Sequence, residues 1–159
     1  YTQSLSGDFF VVDGPGEYDV KDHAITGIPI KGKDGKIVTI YLIEVEGLKI
    51  LDLAHIKSLT LTQDELEDIG DVDIVFVAVG GGEAMEFDDA AKAINLIEPK
   101  IAIPMYYKFD GLKIDAYSAD KFLKEMGGKN ETLDKLTIKK KDILPDDTNT
   151  RVIFLEPLR

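Results

Sequence analysis

Three stretches of this chain end apolar runs in residues able to meet a ligand: Leu51-Asp52-Leu53-Ala54-His55, Gly80-Gly81-Gly82 and Pro104-Met105-Tyr106-Tyr107. In layered α/β proteins, sites collect just beyond the carboxyl ends of strands. If these three runs are neighbours in one sheet, their loops line one cleft. The glycines can cradle a phosphate, but no Lys-Ser/Thr follows them, so they are not a P-loop. Ser58 follows His55 closely without a nucleophile-elbow pattern, which leaves Ser/His/Asp catalysis without support. Nothing among the 30 acidic residues selects a glycosidase-like carboxylate pair. By residue type alone, Asp52 is a turn or cap residue and His55 a surface-loop histidine. Tyr106 and Tyr107 read as cleft-wall and core residues, Gly80, Gly81 and Gly82 as tightly packed cleft wall. Glu83 and Asp88 read as exposed acids, and His23, beside Asp22, as exposed and structural. Two histidines in the whole chain cannot furnish a dinuclear metal site.

The elements that must position these residues fall into two parts. Residues 9–12 (Phe-Phe-Val-Val) read as a buried strand, closed by Asp13-Gly-Pro-Gly, a strong turn signal. Residues 17–31 read as one bent strand or two, and Lys33-Asp34-Gly35-Lys36 as an Asp-Gly hairpin turn. Residues 37–46 alternate, with Val38, Ile40 and Leu42 on one face and Thr39, Tyr41 and Ile43 on the other. Both faces are partly apolar, as in a central strand covered on both sides. After Gly47 a further strand runs from Leu48 to Leu53, completing an antiparallel meander. From about residue 60 helix and strand alternate. Thr62-Gln-Asp-Glu65 is a capping box. Strands are expected over 73–79 and 100–105. A helix over 88–97 places Ala91, Ile94 and Ile97 on one side. Ser118 is expected to cap a helix running to about Met126 and ended by Gly127-Gly128. Two closing strands are expected over 134–140 and 150–156. A meander followed by αβ units argues for mixed sheets covered by helices.

Composition bounds the partners. With 159 residues, 44% of them hydrophobic, the chain is long enough for one domain with a real core. No apolar run approaches a membrane span, and no signal-peptide pattern is present. Cysteine is absent, which fits a reducing cytoplasm. A net charge of −11 repels phosphate backbones, so no nucleic-acid partner is expected. Lys139-Lys140-Lys141, the one basic run, reads as a solvated strand end.

In their order along the chain, Asp13-Gly-Pro-Gly-Glu-Tyr18, Ile37-Val-Thr-Ile-Tyr-Leu-Ile-Glu-Val45, Asp71-Val-Asp-Ile-Val-Phe-Val-Ala-Val-Gly-Gly-Gly82 and Pro99-Lys-Ile-Ala-Ile-Pro-Met-Tyr-Tyr107 resemble the later part of a metallo-β-lactamase-fold protein. The likeness is greatest to predicted zinc-dependent hydrolases near the ascorbate-phosphate lactonases. It runs from about residue 8 to residue 157. It implies an αββα sandwich and hydrolysis of a lactone, ester or phosphoester by metal hydroxide, with zinc or another divalent cation as cofactor. Against the family pattern the chain departs three times. The early His-x-His-x-Asp-His motif is absent; by resemblance Tyr1 falls just after it, so the domain, residues 1–159, is expected to lack the family's first strands. An ungapped match puts His55 at the metal-bridging position, and a small gap restores Asp52 there. Relatives read Ile-Pro-Met-His-Tyr where this chain reads Ile-Pro-Met-Tyr-Tyr, so Tyr106 stands in place of a ligand histidine. A neutral phenol, with pKa near 10, is a poor zinc ligand. The resemblance therefore implies an incomplete or degenerate metal site, with Asp52 and His55 as its candidate ligands. The alternative expectation is a catalytically inactive module that binds a small molecule or associates with its own copies across the incomplete edge.

Overall fold

The structure, a computed structural model, describes residues 6–32, 35–53, 55–127, 129–143 and 149–156. Its first half is the expected meander. Strand β1 (Gly16–Val20) turns into β2 (His23–Lys31) through Lys21 and Asp22. Both turn residues have positive φ, 51° and 65°, the backbone a two-residue hairpin needs to match strand twist. Strands β3 (Ile37–Val45) and β4 (Leu48–Asp52) continue antiparallel, joined at Glu46-Gly47. Of the expected turn at 33–36, Lys33 and Asp34 lie outside the described residues. The Gly32 N–H donates to the Lys36 carbonyl at 2.8 Å beside them.

The second half alternates helix and strand: α1 (Gln63–Ile69), β5 (Ile74–Ala78), α2 (Phe87–Ile97), β6 (Ile101–Met105), α3 (Asp120–Glu125), β7 (Glu131–Leu133) and β8 (Arg151–Leu155). The strands form one eight-stranded sheet in the order β1-β2-β3-β4-β5-β6-β8-β7. It is antiparallel from β1 to β4 and parallel from β4 onward. Each parallel step from β4 to β5 to β6 needs a crossover, and α1 and α2 supply them. The capping box starts α1 as expected: the Glu65 N–H donates to Thr62 Oγ1 at 3.2 Å and the Thr62 N–H to Glu65 Oε2 at 2.7 Å. Ala91, Ile94 and Ile97 are buried on the inner side of α2.

The buried residues of the helices (Ile69, Ile94 and Phe122 among them) pack with Ile40, Leu42, Leu51, Val75 and Val77 on one face of the sheet. On the other face Ile74, Ile101, Ile103 and Ile153 form a smaller cluster, roofed by Leu136 and Ile138. The expected α/β arrangement is present, carried by one mixed sheet with its helices on one side. Among the described residues no helix is long and apolar enough to cross a membrane.

Five expectations fail in detail. Residues 9–12 are not a buried strand: Phe9, Phe10 and Val11 are 51%, 62% and 45% exposed, and they join no ladder among the described residues. The β3 face bearing Thr39, Tyr41 and Ile43 is half-exposed, because the helices cover only the opposite face. Residues 134–140 are not a strand. The ladder beside β8 is β7, and Leu136 and Ile138 satisfy their alternation by packing over the sheet. Ser118 caps no helix: α3 begins at Asp120 after Ala119, and the Ser118 hydroxyl donates to Asp120 Oδ2 at 2.9 Å. Lys139-Lys140-Lys141 is exposed as expected but ends no strand. It enters a 3-10 turn whose Lys140 ammonium meets the buried Asp73 carboxylate at 2.6 Å.

Candidate functional site

Strands β4, β5 and β6 lie side by side and parallel, with Asp52 opposite Phe76 and Ala78 opposite Met105. Their carboxyl ends therefore open on one edge of the sheet, and the loops after them hold His55, Gly80–Gly82 and Tyr106. The meander delivers a fourth piece to the same edge. Since β3 runs antiparallel to β4, with Tyr41 opposite Asp52, the turn between β2 and β3 lies at the end where β4 finishes.

A ring contact there joins two residues distant in sequence. The His55 and Tyr106 rings meet edge-to-face, with centroids 4.3 Å apart and planes at 88°. Tyr106 reaches this position from a left-handed backbone, φ 48°, which costs a residue with a β-carbon roughly 1–2 kcal/mol. The strain is held by packing behind it. A β-carbon on Gly80 would overlap the Tyr106 carbonyl oxygen, so only glycine allows the loops after β5 and β6 to approach so closely. The Val79 N–H donates to the Met105 carbonyl at 3.0 Å, and the Tyr117 N–H donates to the Gly80 carbonyl at 2.7 Å. Gly81 is buried under Tyr117, whose ring leaves no room for a side chain. Gly82 is exposed at φ 63°. These bonds occupy the Gly80 carbonyl and the Gly81 N–H, which donates to Met85. The loop is built as a wall.

Asp52, the last residue of β4, is half-buried and shares a row with Tyr41 and Phe76 on the sheet face away from the helices. Burial, and after it the charges of Tyr18, Asp13 and Asp52, push the Tyr41 hydroxyl above the usual phenol range. Burial alone does the same to Tyr107, which packs on Phe154 at 5.2 Å. His23, at the far end of β2, is exposed and bonds through Nδ1 to the Lys21 carbonyl at 2.6 Å. Glu83 and Asp88 are ion-paired acids, to Lys57 at 3.2 Å and to Lys92 at 3.0 Å.

A cavity of about 310 Å³ opens beside His55, lined by Gly32, Lys36, Val38, Ile56, Lys57, Ser58 and Glu83. Residue type gave no reason to single out Lys36 or Lys57. The available signal was topological: an antiparallel meander brings the β2–β3 turn to the end of β4. A second cavity of about 400 Å³, floored by Tyr107 and Phe154, contains none of the candidate residues.

The donor set does not by itself fit a metal. Among the described residues no three His, Cys, Asp or Glu side chains group closely enough to hold one. The His55 ring lies against the Tyr106 phenol, and Asp52 lies in the row of Tyr41.

A mixed sheet whose parallel strand ends and glycine loop gather on one edge is the frame of the metallo-β-lactamase fold. Residues 1–106 match the family described as the Beta-lactamase superfamily domain, and the chain belongs to it. It is 36% identical over 112 residues to a UPF0173 metal-dependent hydrolase of Staphylothermus marinus, a match covering 68% of this chain and 42% of the relative. A UPF0173 metal-dependent hydrolase of Nanoarchaeum equitans is 35% identical over 80 residues, covering 48% of this chain and 37% of that one. The chain thus spans about two-fifths of the length of these curated relatives. Among solved structures, a Thermotoga maritima protein proposed to be a zinc-dependent hydrolase of the metallo-beta-lactamase superfamily superposes with a TM-score of 0.72 at 31% identity, over 96% of this chain and 75% of that one.

Proposed function

We propose that this chain carries part of the cleft of a metal-dependent hydrolase acting on a lactone, ester or phosphoester. The observation that supports this most is the convergence of the three parallel strand ends. It brings His55 and Tyr106 into contact, 4.3 Å between ring centroids, beside a cavity. The names of the relatives supply the reaction class. His55, with Asp52, is the part of a metal site this chain offers; further donors must come from outside the described residues. Zinc or another divalent ion is the proposed cofactor, a small molecule the proposed ligand, and the cytoplasm the proposed location.

The test is the metal content of the purified chain after zinc exposure and desalting. Near-stoichiometric zinc that drops in His55→Ala supports the hydrolase reading. Metal well below one ion per folded chain rules out hydrolysis by this chain alone. It would leave a second reading, an inactive binding module of the same fold, which the phenol at position 106 favours. Self-association has the half-exposed row Ile25, Ile43 and Ile50 as its support, and sedimentation across a concentration series tests it.

A further inference from the structure

We propose that the cavity of about 400 Å³ between α3 and the ends of β6 and β8 binds a small organic cation, an ammonium group on an apolar or aromatic body. Strands β6 and β8 are parallel neighbours, so their carboxyl ends open on the same edge of the sheet. Tyr107 and Lys108 follow β6 there, and Glu156 follows β8. Asp120 and Leu123 of α3 close the other side. A crevice just beyond the carboxyl ends of parallel strands is where layered α/β proteins take ligands. The volume falls within the range for small-molecule sites. This cavity shares no lining residue with the one beside His55.

The floor is apolar. Tyr107 and Phe154 meet edge-to-face with centroids 5.2 Å apart, and Leu123 lies beside them. The charges on the lining are the Asp120 and Glu156 carboxylates and the Lys108 ammonium, two negative and one positive, so the cavity is net negative. Among the described residues no ion pair joins these three to one another or to any other group. Asp120 Oδ2 accepts from the Ser118 hydroxyl at 2.9 Å, a neutral donor that leaves the carboxylate charge in place. In a chain of net charge −11, the field of the whole molecule and that of the cavity favour the same sign of ligand. The Tyr107 hydroxyl has no hydrogen-bond partner among the described residues, and solvent reaches it. A tyrosine hydroxyl in apolar surroundings ordinarily has one. Burial pushes it above the usual phenol range, so it stays neutral and keeps lone pairs for a donor. An ammonium N–H can supply that donor while the carboxylates take its charge through charge-assisted bonds. Aromatic rings favour a cation nearby, and the apolar floor receives the body that carries it. Nothing in this needs a metal, and none of it rests on the hydrolase reading.

Titrating benzylammonium chloride into the 159-residue chain at constant ionic strength tests it, with backbone amide NMR signals as the readout. Lys108, Thr132 and Glu156 line the cavity, while Lys57 and Ser58, on the cavity beside His55, serve as internal reference. The expected result is a saturable shift of the first three with the reference unmoved. Benzyl alcohol, the same body without the charge, should bind about tenfold more weakly, the loss of one bond to a charged group. Glu156 and Lys108 are both exposed, so their neutral variants leave the fold in place. Glu156→Gln should weaken binding roughly threefold, the scale of one exposed charge pair, and Lys108→Gln should tighten it by a similar factor. Opposite signs at two surface positions are what an electrostatic site predicts and a structural role does not. Equal affinity for benzyl alcohol overturns the proposal. So do unsaturable shifts spread over the acidic surface, or affinities unchanged in both variants. The zinc content of the chain has no bearing on this titration, so the site and the hydrolase reading can fail separately.

Discussion

At Gly80 no side chain fits: a β-carbon there would overlap the Tyr106 carbonyl and lie 2.9 Å from the β-carbon of Ala116. Gly80→Ala must push the loops after β5 and β6 apart. We expect it to destabilise the fold by roughly 1–3 kcal/mol, the usual cost of overpacking. Urea unfolding reads the cost, and an unchanged midpoint would mean the two loops separate freely. Tyr106 concerns chemistry rather than packing. Its ring already lies against His55, so Tyr106→His would set a second imidazole beside the first. Imidazole nitrogen binds zinc where neutral phenol does not. The variant should retain more zinc through desalting than the parent, measured by elemental analysis; equal retention would show that position 106 does not face a metal. Both residues stood out in the sequence, Gly80 in a glycine run and Tyr106 by its place after an apolar run. Their contact was not legible there. It depends on a left-handed φ of 48° at a tyrosine, which residue type does not announce.

Elements were most legible where one local signal agreed with one partner. The capping box placed α1, and alternation placed β3, because each pattern had a single structure to satisfy. Residues 134–140 show the opposite case. Leu136 and Ile138 keep a strand's spacing, yet they are anchored by packing above the sheet and by a salt bridge beyond them. That bridge joins Lys140 to Asp73 at 2.6 Å, and Asp73 also accepts from the Lys49 N–H at 2.8 Å. The Asp73 side chain is 9% exposed and that of Lys140 54%. Removing the cation therefore strands a mostly buried carboxylate. Lys140→Met should cost roughly 1–3 kcal/mol, less than a fully buried pair because the ammonium is half in water; a variant as stable as the parent in urea would reduce the bridge to ornament. Strand β7, three residues long, leans on another pair. Arg151 on β8 donates to both carboxylate oxygens of Glu131, at 2.9 and 3.0 Å. The bond to Arg151 holds the Glu131 carboxyl below its ordinary range. A depressed carboxylate contributes stability that is present above its unfolded pKa and lost as pH falls through the folded one. The contribution is small, because both side chains are about half exposed. Acid unfolding of Glu131→Gln should thus show a slightly shallower loss of stability below about pH 4.5 than the parent. Overlapping curves would show that the pair does nothing for the β7–β8 edge.

For the molecule as a whole, the division into a meander followed by αβ units was written in the sequence, because it changes the period of the apolar residues. Which face of the sheet carries the helices was not, since β3 shows apolar residues on both sides. The charge balance, by contrast, needs no structure. With 30 acidic and 19 basic residues, the folded chain concentrates a net charge of −11 that the unfolded chain spreads out. Self-repulsion of that kind destabilises the compact state. Opposing it are ion pairs such as Lys92 with Asp88 at 3.0 Å and Lys49 with Glu44 at 3.9 Å, all at the surface and individually weak. Salt screens both, but the net repulsion acts over longer distances and is screened first. The Debye length falls from about 30 Å at 0.01 M to about 10 Å at 0.1 M salt. The midpoint of thermal unfolding should therefore rise, by a few degrees, as sodium chloride increases over that range. A falling midpoint would mean that these exposed attractive pairs outweigh the repulsion. The sign of one salt series thus decides whether this acidic fold is held together by its charges or in spite of them.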